Sequence, residues 1–122
     1  MTDPKKEILI VEDDKDIAFA LTTLLETEGY IVRVTENGVA ALNDLRAHGI
    51  PNLILLDMRM PVMDGWGFAA EFNARHDHAA PIVVMTAAAD AEQRAREVHA
   101  NGWVGKPFML DRLLTTIRDK ER

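Results

Sequence analysis

The chain has 122 residues, 48% of them hydrophobic, with a net charge of −6, four histidines and no cysteine. Residues 1–122 therefore read as a single domain with a real core and no room for a second one. The acidic balance argues against direct nucleic-acid binding, the lack of cysteine excludes disulfides and thiolate metal sites and fits a cytoplasmic protein, and no apolar run approaches a membrane span.

Taken in chain order, Met1 opens no basic region followed by an apolar run, so no leader peptide is expected. Ile8 to Val11 is the first apolar run. A helical stretch follows with Ile17, Leu21, Leu24 and Leu25 on one face and Gly29 as its stop. Tyr30 to Thr35, with Arg33 inside it, reads as a less buried strand near a sheet edge. Asn37 caps a second helix reaching about His48–Gly49. Leu53 to Leu56 runs apolar into Asp57. Asp64 caps a helix carrying Trp66, Phe68, Ala69 and Phe72. Ile82 to Met85 ends in Thr86, and Asp90 caps a helix with Ala91, Arg94, Ala95 and Val98. Trp103 and Val104 form a short strand. Met109, Leu110, Leu113, Leu114 and Ile117 give the last helix its period, and Asp119 to Arg122 should fray into solvent.

Strict alternation of five strands and five helices predicts an α/β fold, a doubly wound five-stranded parallel sheet. Strands covered by helices on both faces read as continuous apolar runs, as three of these do. Such sheets bind ligands outside the carboxyl ends of their strands. There the sequence delivers Glu12, Asp13 and Asp14, then Asp57, Thr86 and Lys106. Each has an ordinary reading. Asp14 is a good N-cap, Glu12 and Asp13 suit a solvated loop, Asp57 suits a turn, Thr86 suits a loop cap, and Lys106 suits the surface. Their common position at one rim favours a site. Three packed carboxylates repel unless a proton or a cation intervenes. A divalent ion such as Mg²⁺ together with Lys106 would neutralise them and let a small anion approach. A carboxylate beside a metal, a lysine and a hydroxyl has the parts of a phosphoryl-transfer site, with the carboxylate as nucleophile.

At these residues the chain resembles the receiver domain of bacterial two-component response regulators, over about residues 7 to 118. Ile8-Leu9-Ile10-Val11-Glu12-Asp13-Asp14 is similar to the family's acidic pocket. Asp57-Met58-Arg59-Met60-Pro61-Val62-Met63-Asp64-Gly65 is similar to its phosphoacceptor and following loop. Met85-Thr86-Ala87 matches its hydroxyl position and Lys106-Pro107-Phe108 its lysine motif. Four such pieces in order are specific together. The resemblance implies a flavodoxin-like strand order 2-1-3-4-5 and phosphorylation of Asp57 by a sensor histidine kinase or phosphotransfer protein. It implies Mg²⁺ held by Glu12, Asp13, Asp57 and the Arg59 backbone carbonyl. Thr86 and Lys106 would meet the phosphoryl oxygens, and the resemblance implies a cis Lys106–Pro107 bond, as in the family. The output would be a changed α4–β5–α5 surface read by a downstream protein, with homodimer formation on phosphorylation as one form of it.

Two places depart from the family pattern. Trp103 stands where Tyr or Phe is usual in the switch, and the alternative is a Trp simply packed on the last strand. His99 stands where Gly is common. Arg59 and Ala88, two residues past Asp57 and Thr86, occupy places that tune phosphoryl lifetime in the family. His76 and His78 could share a transition metal but show no third ligand. The functional expectation is a stand-alone receiver domain rather than an enzyme acting on an external substrate. A small Mg²⁺-dependent phosphatase using Asp57 is the alternative, weakened by Arg59 where a second Asp is expected. A flavodoxin-like electron carrier is opposed by the acidic loop Glu12-Asp13-Asp14. Trp66, next to Asp64-Gly65, is expected near the metal.

Overall fold

The computed structural model describes residues 5–122; the reading made at Met1 lies outside them. Ten elements alternate: β1 Glu7–Val11, α1 Lys15–Thr27, β2 Ile31–Thr35, α2 Gly38–His48, β3 Leu53–Asp57, α3 Gly65–His76, β4 Ile82–Ala87, α4 Ala91–Glu97, β5 Gly102–Lys106 and α5 Leu110–Lys120. The strands pair in parallel in the order β2-β1-β3-β4-β5, the expected flavodoxin-like sheet.

The continuous apolar runs are explained by the pleat. Successive side chains point to opposite faces, so Leu9, Val11, Ile54, Leu56 and Val84 meet α2, α3 and α4. Ile8, Ile10, Leu53, Leu55, Val83 and Met85 meet α1 and α5 on the other face. The central strand β3 is buried along its whole length, whereas the edge strand β2 is not. Arg33 serves that edge: its guanidinium pairs with Asp44 at 2.9 Å and donates to the carbonyls of His48 and Gly49 at the end of α2.

Local signals place most helix ends. The Asp14 carboxylate accepts from the amides of Asp16 and Ile17, Asn37 accepts from Ala40, and Asp64 accepts from Gly67. After α1, Gly29 takes φ +95°, a backbone conformation that glycine adopts without strain. Asp90 holds the N-cap position of α4, yet its side chain makes no capping hydrogen bond. The last strand is longer than Trp103–Val104, because Gly105 and Lys106 continue the pairing opposite Thr86 and Ala87. Leu113 and Ile117 of α5 are buried, but Met109 and Leu110 are 73% and 59% exposed, since they precede the turn that reaches the core. Trp103 on β5 is 44% exposed.

The chain end does not fray. The Arg122 amide donates to the Asn52 carbonyl at 3.0 Å, and the Asn52 side-chain amide donates back to the Arg122 main-chain oxygen at 2.7 Å. The Arg122 guanidinium donates to the carbonyls of His78 and Ala79, and Glu121 accepts from the Tyr30 hydroxyl at 2.6 Å. Among the described residues no helix is long and apolar enough to cross a membrane.

Candidate functional site

Sheet register assembles the site. Val11 lies opposite Leu56, Asp57 opposite Met85, and Ala87 opposite Lys106. Glu12, Asp57, Thr86 and Lys106 therefore leave four neighbouring strands at one level, and Asp13 follows on the loop above β1. The cleft they line holds about 380 Å³ and also takes in Asp14, Ile17, Arg59 and Asp90. A larger apolar hollow of about 560 Å³ lies alongside, between α1 and α5. It shares Lys106 with the cleft but gathers no cluster of polar groups, so the chemistry belongs to the smaller one.

Among the described residues, Glu12 and Asp57 are the charged side chains buried in the protein, 2% and 6% exposed. One ligand oxygen from each of Glu12, Asp13 and Asp57 lies within 4.8 Å of the others. Burying carboxylates is costly without partners. The partner is Lys106, whose ammonium donates to Glu12 at 2.8 Å and to Asp57 at 3.3 Å. A second oxygen of Glu12 accepts from the Asp14 amide at 3.2 Å, which ties the cluster to the N-cap of α1.

This balance is incomplete. Burial pushes the Asp57 carboxyl up to about 7; the charge of Glu12 adds to the rise and Lys106 opposes it. Burial works against the Lys106 ammonium, but its bond to Glu12 and the charges of Asp57 and Glu12 outweigh it and hold its pKa above the usual lysine value. The cluster is thus short of positive charge. Converging oxygen donors with surplus negative charge make a good fit for a hard divalent cation.

All the rim residues expected from the sequence come together here. Asp57 ends a buried strand and is not a turn former. Thr86 is partly exposed and lines the cleft, as does Arg59. The Lys106–Pro107 bond is cis. Trp103 does not line the cleft; it borders a separate hollow together with Ala88, Gly105, Pro107, Met109 and Arg112.

Two features escaped the sequence reading. Asp90 lines the cleft instead of capping α4. Trp66, expected near the metal, does not line the cleft and meets it only through Arg59. The Arg59 guanidinium lies over its ring, 5.8 Å from the centroid, and that of Arg94 lies over it at 5.7 Å. Its indole N–H donates to Glu97 at 2.9 Å. No local pattern announces a contact between residues 31 positions apart. The one available signal was an Arg94–Glu97 spacing that suits a helical ion pair.

The comparisons with known proteins agree with this geometry. The family model described as response regulator receiver domain matches residues 8–118. A probable transcriptional regulator, ycf27, of Guillardia theta is 37% identical over 116 residues, covering 93% of this chain and 44% of that protein. The response regulator MprA of Mycobacterium sp. (strain KMS) is 34% identical over 113 residues, covering 91% of this chain and 48% of that protein. The chain spans about half the length of the curated relatives it matches. Among solved structures, a putative response regulator from Chloroflexus aurantiacus superposes with a TM-score of 0.88 at 27% identity, covering 95% of this chain and 97% of that one. The chemotaxis protein CheY4 of Vibrio cholerae superposes with a TM-score of 0.84 at 27% identity, covering 96% and 99%.

Proposed function

The chain belongs to the response regulator receiver domains, a signalling family of two-component systems, and from that membership we propose that Asp57 accepts a phosphoryl group from the phosphohistidine of a sensor histidine kinase or phosphotransfer protein. The observation that carries the proposal is the meeting of Glu12, Asp13, Asp57 and Lys106, from the loop after β1 and the ends of β3 and β5, around one small volume. Glu12, Asp13 and Asp57 would hold Mg²⁺, with the Arg59 backbone carbonyl completing the protein's share. When bound, the ion neutralises the carboxylates and polarises the phosphoryl oxygens.

The chain's own residues carry the transfer. An Asp57 carboxylate oxygen forms the new P–O bond while the P–N bond to the donor imidazole breaks, and the imidazole leaves. The Lys106 ammonium, now shared by Glu12 and Asp57, pairs with one phosphoryl oxygen. The Thr86 hydroxyl donates to another. Phosphorylation replaces one carboxylate charge by roughly −2. Thr86 is drawn toward that charge, and the loop from β4 to α4 follows. Trp103, on the exposed side of β5, repacks with it. The result is a two-state surface of α4, β5 and α5 whose affinity for a downstream protein, or for a second copy of this chain, is set by the phosphoryl group.

In this reading the domain is cytoplasmic, does not itself bind nucleic acid, and catalyses only its own phosphorylation and dephosphorylation. The phosphatase alternative is not favoured, since the cleft presents Arg59 where a second acid is needed.

The test is a titration followed by tryptophan fluorescence, with Trp66 and Trp103 as reporters. Mg²⁺ should change the emission, and acetyl phosphate or beryllofluoride should change it again. Asp57→Asn should abolish the second response. A wild-type protein silent to both reagents would refute the proposal.

A further inference from the structure

Arg59 has two possible destinations. It lines the cleft two residues past Asp57, yet among the described residues Lys106 alone pairs with the buried carboxylates there. The Arg59 guanidinium lies instead on the ring of Trp66. A cation–π contact at such a surface site is weak enough to be exchanged for an anion. The ring is not a passive support. Its N–H is held by Glu97 on α4, and Glu97 is itself gripped by Arg94 at 2.6 and 2.8 Å. The Trp66 bond and Arg94 together hold the Glu97 carboxyl below its usual range, as an anion. Arg94 and Glu97 would pair within α4 without Trp66. The indole N–H, with the Arg94 guanidinium over the ring, joins that pair to α3, and the ring face that carries Arg59 joins it to the loop after β3.

We propose that Trp66 is a positioning residue that parks the Arg59 guanidinium away from the phosphoryl site and makes that parking depend on the position of α4. The inference rests on Asp57 being the phosphoacceptor. Once Asp57 carries a phosphoryl group, the site offers Arg59 an anion. Whether Arg59 leaves the ring depends on how firmly Glu97 and Arg94 hold Trp66 in place. A partner that displaces α4 would loosen the ring, release Arg59 and alter the rate at which the acyl phosphate is lost. In that loss a water oxygen bonds to phosphorus, the P–O bond to Asp57 breaks, and inorganic phosphate departs with Asp57 again a carboxylate. An arginine held against the phosphoryl oxygens obstructs the approach of water.

The test is a double-mutant cycle on Asp57 labelled with radioactive acetyl phosphate, following loss of label in wild type, Trp66→Leu, Arg59→Ala and the double variant. Arg59→Ala keeps the backbone carbonyl. Trp66→Leu should lengthen the lifetime about two- to fivefold, the equivalent of one cation–π contact. In the Arg59→Ala background the same change should have no effect. Trp66→Phe, which keeps a ring but loses the N–H, and Glu97→Gln should each give a smaller lengthening that also vanishes without Arg59. In metal-free protein the Trp66 indole N–H resonance should move in Glu97→Gln and in Arg59→Ala. Equal effects of Trp66→Leu in both backgrounds, no effect in either, or an unmoved resonance would overturn the inference while leaving the phosphoacceptor intact. Failure of wild type to take up label would instead overturn the phosphoacceptor assignment, and the inference with it.

Discussion

Asp57 is a carboxylate placed where burial disfavours its charge, and this makes metal-free stability pH-dependent in a predictable direction. Its pKa rises from 3.8 to about 7 on folding. A folded-state pKa above the unfolded one contributes stability that is complete below about pH 4 and is lost as pH rises through 7. In EDTA, urea denaturation at a series of pH values should show this group's share falling by on the order of 2 kcal/mol between pH 4 and 7. Asp57→Asn should remove that fall, leaving the variant more stable than wild type at pH 8 and not at pH 4. Added Mg²⁺ should restore wild-type stability at pH 8 and do little at pH 4, because proton and metal compete for the same oxygens. Lys106 presents the opposite case. Lys106→Met leaves Glu12 and Asp57 buried without their cation and should cost about 1–3 kcal/mol at pH 8 in the same buffer. An Asp57→Asn background should reduce that cost. At this scale the sequence was informative. Glu12, Asp13, Asp57, Thr86 and Lys106 each follow an apolar strand, and strand ends are where a parallel sheet displays its chemistry. Trp66, whose partners come from distant segments, had no such marker.

Elements place these residues by close approach, and glycines mark where it is closest. A Cβ on Gly65, at the start of α3, would stand 2.7 Å from the Met58 Cα and 2.8 Å from the Asp57 carbonyl oxygen. Both are backbone atoms with no room to yield, since Met58 and Asp57 are buried. The first turn of α3 therefore presses directly on the loop that leads from Asp57 to Arg59. Gly65→Ala should displace that loop, lower stability by about 2 kcal/mol or more, and weaken Mg²⁺ binding. Denaturation and a Mg²⁺ titration on one sample would show both losses. Gly105 is the counterpart on β5, where a Cβ would fall 2.7 Å from the Ala88 Cα, in the loop beyond Thr86. The elements themselves were legible to different degrees for one reason, burial. Runs shielded on both faces, such as Leu53–Leu56, contain nothing but apolar residues and announce themselves. The edge strand β5, with Gly102, Trp103 and Gly105, satisfies its backbone by pairing with β4 while its outer face meets solvent. The apolar pattern therefore revealed only its middle. Helix starts with an Asp or Asn at the cap position were visible, α4 included; what stayed hidden there is that the Asp90 side chain makes no capping hydrogen bond.

Across the whole molecule the parallel sheet separates two jobs along the strand axis. The carboxyl ends of the strands carry the acidic cleft, and the amino ends carry the fastening of the chain. Asn52, just before β3, is the centre of that fastening. Its side-chain oxygen accepts from the Glu7 amide at 2.7 Å at the start of β1, and its side-chain nitrogen donates to Arg122 at 2.7 Å. One asparagine thus ties the central strand, its neighbour and the segment after α5 together. The polar run Asp119 to Arg122 suggested a loose tail because sequence pattern registers hydrophobic burial, while this anchoring is made of hydrogen bonds to main-chain groups. Asn52→Ala removes two of those bonds and leaves the Glu7 amide to find water, which should lower stability by about 1–2 kcal/mol. The cleft lies at the far end of β1 and β3, so Mg²⁺ affinity and the lifetime of phosphorylated Asp57 should stay within about twofold of wild type. Urea denaturation, Mg²⁺ titration and label-loss kinetics on the same variant would check the separation. A weakened metal site in Asn52→Ala would mean that the base of the sheet controls the register of the rim, since β1 and β3 carry Glu12 and Asp57 at one end and these bonds at the other.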